Sequence, residues 1–192
     1  MIAIKPKNNN QQTIEDSLFV KGIGLHSGKD VELKLEPAEV DNGIKFIRVD
    51  SKKNNIIEAI WSNVSETLLS TTISNEYGLK ISTIEHLMSA LSGLHIDNLN
   101  IYINTAEVPI MDGSSRPFVD MIEKIGIKKQ NKKRKFLNVK KIIEVSHNNS
   151  SVKIIPNNQF SIDFEIDFPS QLVSKQSCQL QLINGNYKTD IS

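Results

Sequence analysis

The chain has 192 residues, enough for roughly one to one and a half ordinary domains. Hydrophobic residues make up 39% and charged residues 23%, which provides for a buried core and excludes wholesale disorder. A net charge of +1 excludes a uniformly basic nucleic-acid binder, and the single cysteine, Cys178, excludes both an internal disulfide framework and a multi-cysteine zinc site.

The first distinctive stretch is Gly22-Ile23-Gly24-Leu25-His26-Ser27-Gly28. It lacks the Lys-Ser/Thr of a phosphate-binding loop and the spacing of a dinucleotide fingerprint, so it reads equally as a flexible strand-to-strand turn. Val31, Leu33 and Leu35 then alternate with Glu32 and Lys34, and Ile44, Phe46 and Ile47 follow a turn at Asp41-Asn42-Gly43. With a short β-branched stretch over 71–74, these predict half-buried strands of an antiparallel sheet. The period changes to helical between Ser82 and Leu94, where Ile84, Leu87, Met88, Leu91 and Leu94 form one apolar stripe. Leu99, Ile101 and Ile103 alternate again as a strand. Asp112-Gly113 turns the chain, Ser114 or Ser115 can cap, and a second short helix runs from Pro117 to Ile125 before Gly126.

The charge reverses near Gly126. Residues 1–126 carry 12 basic and 17 acidic side chains, a net of −5, whereas 127–192 carry 11 and 5, a net of +6. The change falls on Lys128 to Lys135, six basic residues in eight, which reads as a basic linker over 128–135 between a first α+β domain, 1–127, and a second unit, 136–192. That run is either solvated or an electrostatic grip on phosphates or an anionic membrane surface; without aromatic interleaving it does not suit a nucleic-acid groove. Beyond it only strands are predicted. Phe160, Ile162, Phe164, Ile166 and Phe168 alternate with polar residues, Val152, Ile154, Leu180 and Leu182 suggest neighbouring strands, and a three- or four-stranded sheet of this kind needs a covering layer. The chain contains no apolar run of about 18 residues and its start has no secretory apolar stretch, so a soluble, cytoplasmic protein is expected.

Chemistry centres on Ser82-Thr83-Ile84-Glu85-His86. Ser82 and Glu85 have capping-box spacing, which would make Glu85 a helix-start residue. His86 lies about 140° from the centre of the apolar stripe at 100° per residue, on a face shared with Ser89, Ala90 and Gly93. His95 instead falls on the stripe, in a packing or capping position. Adjacent Glu and His suit a zinc-bound water and its base, yet a hydrolytic zinc takes three protein ligands and neither His26, His95 nor His147 completes a recognisable spacing. In Glu107-Val108-Pro109-Ile110-Met111-Asp112-Gly113-Ser114, Asp-Gly-Ser reads as turn plus cap and Met111 as core.

The segments GIGLHSGKDVELKL (22–35), ISTIEHLMSALSGLHIDN (81–98) and AEVPIMDGSSRPFVDMIEKIGI (106–127), with a weaker match through FSIDFEIDFP (160–169), together resemble the zinc-dependent UDP-3-O-acyl-N-acetylglucosamine deacetylases of lipid A synthesis. The resemblance implies an α+β fold of two similar domains, each a two-layer sheet/helix sandwich. It makes Glu85 the catalytic base, His86 a metal ligand for Zn2+, and His26 and Leu69 substrate-binding residues, in a hydrolase removing the N-acetyl group. The family's other two zinc ligands, a histidine and an aspartate four residues on, have no counterpart here, nor does its general-acid histidine. A family lysine is replaced by Ile155, with Lys153 two residues earlier. The expectation is therefore a second domain that is incomplete and a form holding one of three zinc ligands. It would be an inactive fragment, a non-catalytic sugar-nucleotide-binding or interaction module, or half of a split enzyme completed by a C-terminal chain; neither nucleic acid nor a transmembrane segment is expected.

Overall fold

The computed structural model describes residues 9–182 and 187–192. They fall into two compact units, Asn10–Lys133 with Ile191–Ser192, and Arg134–Asp190 with Asn9.

In the Asn10–Lys133 unit, strands β2 (Leu18–Ile23), β3 (Asp30–Pro37), β4 (Ile44–Arg48), β5 (Ile56–Glu58) and β9 (Leu99–Ile103) form one sheet in the order β2-β3-β9-β4-β5. Neighbours are antiparallel except β4 and β9, which run parallel. The alternation expected of half-buried strands is realised: Val31, Leu33 and Leu35 of β3 and Leu99, Ile101 and Ile103 of β9 are buried, with Leu35 and Phe46 both opposite Ile101. A sheet with one apolar face must bury it against another layer. Helices α1 (Glu85–Gly93) and α2 (Arg116–Ile125) pack on one another, α2 also reaches β2, and they bury Leu87, Ala90, Leu91, Phe118, Val119 and Ile122. The fold class is α+β, as expected. Pro117 sits in the first turn of α2, where a missing amide costs nothing. The Arg116 amide donates to Ser114 Oγ at 3.2 Å, and Gly126 at φ 92° ends the helix. A small antiparallel sheet, β6 (Val64–Glu66), β7 (Thr72–Ser74) and β8 (Lys80–Ile81), precedes α1.

Two expectations are corrected. The basic stretch is not a linker along its length, because Ile127–Lys133 forms β10, antiparallel to β1 (Asn10–Ile14). Strand β1 reads Asn-Gln-Gln-Thr-Ile and carries no apolar alternation, yet Gln11, Gln12 and Thr13 are buried. Their polar groups are satisfied at long range. Asn98 Nδ2 donates to Gln11 Oε1 at 2.8 Å and to Gln130 Oε1 at 2.7 Å, Asn98 Oδ1 accepts the Gly43 amide at 2.9 Å, and Gln12 Nε2 donates to the Leu94 and His95 carbonyls. Lys132 pairs with Asp41, so part of the basic run is neutralised on the strand itself.

The second correction concerns the Arg134–Asp190 unit. In place of one sheet of three or four strands it holds two hairpins, β11 (Ile143–His147) with β12 (Ser150–Ile154) and β13 (Ser161–Asp167) with β14 (Lys175–Gln181), and a short helix α3 (Tyr187–Asp190). Each strand pairs with its neighbour in sequence, which closes the shorter loop. Val145 opposes Val152 and Phe164 opposes Cys178, and Phe164 is 60% exposed. No helix among the described residues is long and apolar enough to cross a membrane.

Asn98 is 1% exposed and serves three partners. Asn98→Ala should lower the unfolding free energy in urea by about 1–3 kcal/mol, the cost of stranding buried donors and acceptors. A change within a few tenths would show the network to be dispensable.

Candidate functional site

The turn between β2 and β3 is built on glycine. The Gly24 amide donates to the Lys29 carbonyl at 3.0 Å, the Gly28 amide donates to the Gly24 carbonyl at 2.9 Å, and Gly28 lies at φ 62°. Inside the turn is the carboxylate of Glu107, 3% exposed. Its Oε1 accepts the His26 amide and its Oε2 the Ser27 amide, each at 2.8 Å. Consecutive amides of this kind form an anion-binding nest, and here the anion is the protein's own. A Cβ at Gly24 would collide with Glu107 Oε2 and Ser27 Oγ, so the residue is glycine because the carboxylate occupies the space. Similarly, a Cβ at Gly22 would come within 2.8 Å of Pro109 Cβ.

The same carboxylate reaches the start of α1. The Thr83 hydroxyl, itself buried, donates to Glu107 Oε1 at 3.2 Å. Thr83 has φ 57°, a conformation disfavoured for a β-branched side chain and costing on the order of 1–3 kcal/mol unless its surroundings impose it. The surroundings do so. Ser82 bridges in parallel to Glu107, with the Ser82 amide on the Ala106 carbonyl at 2.9 Å and the Val108 amide on the Ser82 carbonyl at 3.1 Å. Burial pushes Glu107 upward, but the Ser27 hydroxyl, the His26 and Ser27 amides and the Thr83 hydroxyl outweigh it and hold the pKa below the ordinary glutamate value.

Glu85 and His86 open α1, both half-buried. The capping-box expectation is overturned: no side chain caps this helix, and Ser82 is engaged with Ala106. Glu85 Oε2 instead accepts the Thr71 amide at 3.0 Å. That bond ties the segment preceding β7 to the helix start, and this segment contains Leu69, 83% exposed at φ 63°. Among the described residues His86 makes no side-chain hydrogen bond, while its charge interacts with Asp112. Asp112 is held below the ordinary aspartate value by the Ser114 hydroxyl first, then the Ser114 amide, with His86 a smaller influence. Ala90 is buried, unlike its neighbours Ser89 and Gly93, so the open face around His86 is narrower than its periodicity implies. His95 is exposed at φ 60° just past α1, where its carbonyl accepts Gln12 Nε2 at 3.1 Å; it helps end the helix and does not pack.

Three loops therefore converge on the N-terminus of α1. Glu107 brings the His26 turn, Thr71 brings the segment of Leu69, and the stretch after Glu107 brings Asp112. Sequence reading singled out His26, Leu69, Glu85 and His86 but gave no role to Glu107; the close Gly22-x-Gly24 spacing was the available signal that something presses on that turn.

The donor set bears on a metal. Hydrolytic zinc commonly uses three protein ligands. Among the described residues no three His, Cys, Asp or Glu side chains come together to hold an ion, and His86 offers one imidazole. These residues do not make a zinc site by themselves.

A family model described as UDP-3-O-acyl N-acetylglycosamine deacetylase matches residues 11–192. Proteins named UDP-3-O-acyl-N-acetylglucosamine deacetylase match from Syntrophus aciditrophicus, 40% identical over 94% of this chain and 57% of that protein, and from Geotalea uraniireducens, 41% identical over 95% and 59%. A third, from Wigglesworthia glossinidia brevipalpis, is 43% identical over 87% and 56%. The chain thus spans somewhat more than half the length of these relatives.

Glu107→Gln places an amide against donors that need an acceptor, and should cost about 1–3 kcal/mol in chemical unfolding. Because its folded pKa is depressed, the stability Glu107 contributes is full at neutral pH and is lost as pH falls through that folded value. The difference between parent and variant should therefore shrink in acid. A difference that grows on acidification would contradict the assignment.

Proposed function

The chain belongs to the UDP-3-O-acyl N-acetylglycosamine deacetylase family, and on that premise we propose that it supplies part of a site hydrolysing the N-acetyl amide of UDP-3-O-acyl-N-acetylglucosamine in lipid A synthesis. The Asn10–Lys133 unit is then a first α+β domain, and Arg134–Asp190 belongs to a second, similar one. The observation supporting this reading is that Glu85 and His86 stand side by side at a helix start onto which the His26 turn and the Leu69 segment are drawn by hydrogen bonds.

Amide hydrolysis needs a base for the attacking water and an acid for the leaving amine. Glu85 is the proposed base. One of its oxygens is fixed by the Thr71 amide, which orients the carboxylate and leaves the other to accept a proton. His86 would give one imidazole to a zinc ion, and among the described residues no further ligands gather with it. His26 and Leu69 face substrate in this reading. Leu69 lies exposed beside Leu68, as suits contact with an acyl chain, and the His26 backbone is pinned by Glu107 while its ring stays exposed.

The test uses the 192-residue chain alone and mixed with a polypeptide comprising the part of the Syntrophus relative that the match leaves uncovered, with acetate release and bound zinc as readouts. Zinc retention and acetate release are expected in the mixture and not in the chain alone. In that mixture His86→Ala should lose zinc, whereas Glu85→Gln should keep zinc and lose at least about a hundredfold in rate, the scale of general-base catalysis. Tight stoichiometric zinc in the chain alone, or zinc unaffected by His86→Ala, would overturn the assignment.

A further inference from the structure

Between Glu123 and Glu144 the chain carries nine cationic side chains and no carboxylate. Eight are lysines, and all eight are exposed. Lys132 pairs with Asp41 and Lys133 donates to Asn10 Oδ1, but Lys124, Lys128, Lys129, Lys135, Lys140 and Lys141 make no ion pair among the described residues. The last three lie on the irregular segment 134–142, which leaves β10 and leads into β11. Within that segment two large apolar side chains follow Lys135 directly: Phe136 is 55% exposed and Leu137 fully so, and Ile142 is 60% exposed at its far end.

A solvated connection has no use for an adjacent Phe and Leu held in water between lysines. An anionic bilayer surface has a use for both. Its surface potential attracts a polybasic segment, and short apolar side chains inserted at the headgroup level add a component that salt does not screen. Lysine stems can lie along such a surface with their ammonium groups at the phosphates. A nucleic acid matches the charge but not Leu137, which offers neither a stacking face nor a hydrogen bond.

We propose that segment 135–142, with its three exposed lysines beside Phe136, Leu137 and Ile142, attaches this protein peripherally to a membrane surface rich in anionic phospholipid. This lies beyond the deacetylase reading and stands or falls separately from it, since it uses neither Glu85 nor His86.

The test is sedimentation of the 192-residue chain with vesicles of equal parts phosphatidylglycerol and phosphatidylcholine, against vesicles of phosphatidylcholine alone. Partitioning should favour the anionic vesicles by at least about tenfold at low salt and fall steeply as salt shortens the screening length. The triple change Lys135→Glu, Lys140→Glu and Lys141→Glu should abolish the preference. Phe136→Ser with Leu137→Ser should weaken binding while leaving the salt slope unchanged. These side chains are exposed, so circular dichroism should match the parent; the lipid preference and salt slope of the parent stand without any variant. Equal partitioning to both vesicles, or a preference that survives charge reversal, would overturn the proposal.

Discussion

One buried carboxylate organises the loops around the start of α1 in the Asn10–Lys133 unit. Among the described residues no cation donates to Glu107: two backbone amides and two hydroxyls stabilise its charge. A charge removed from water survives only when its acceptor capacity is met, and preorganised amides meet it without the entropy cost of a long side chain. The consequence is geometric. The turn carrying His26 cannot move independently of Thr83, and Thr83 fixes the approach to Glu85 and His86. The strained backbone at Thr83 is tolerated because the Ser82–Glu107 bridge holds it from one side and α1 begins on the other.

Most of this unit was legible in the sequence because its signals are local. The alternation of β3, β4 and β9, the stripe of α1, the proline and glycine that bound α2, and the turn at Asp112-Gly113 all follow from periodicity and punctuation within a dozen residues. Strand β1 was not legible. Its residues are polar, and they are buried only because partners 25 or more residues away along the chain satisfy them. The basic stretch misled for the same reason: charge density suggested a solvated linker, whereas pairing with β1 makes Ile127–Lys133 a strand. The pattern over 160–168 identified β13, and Leu180 does lie on its partner β14 opposite Ile162, but Val152 and Ile154 belong to a separate hairpin, since periodicity reports a face and not what lies against it.

The site shows the same division. Adjacent Glu and His on a helix is a chemical signal readable from spacing, and so is a glycine-rich turn. The capping box between Ser82 and Glu85 was a plausible local solution that tertiary structure replaced, giving Ser82 to Ala106 and Glu85 to Thr71. Glu107 was invisible because a carboxylate in a mixed loop ordinarily faces solvent; only the need for glycine at 24 betrays it.

The central claim, that a single carboxylate couples the His26 turn to the helix start, is tested most directly by following the backbone amide resonances of His26 and Ser27 through an acid titration. Both signals should move together in one transition, with a midpoint below the ordinary glutamate value, and both should be unresponsive over that range in Glu107→Gln. Separate transitions for the two amides, or a shared midpoint at or above the ordinary value, would contradict it.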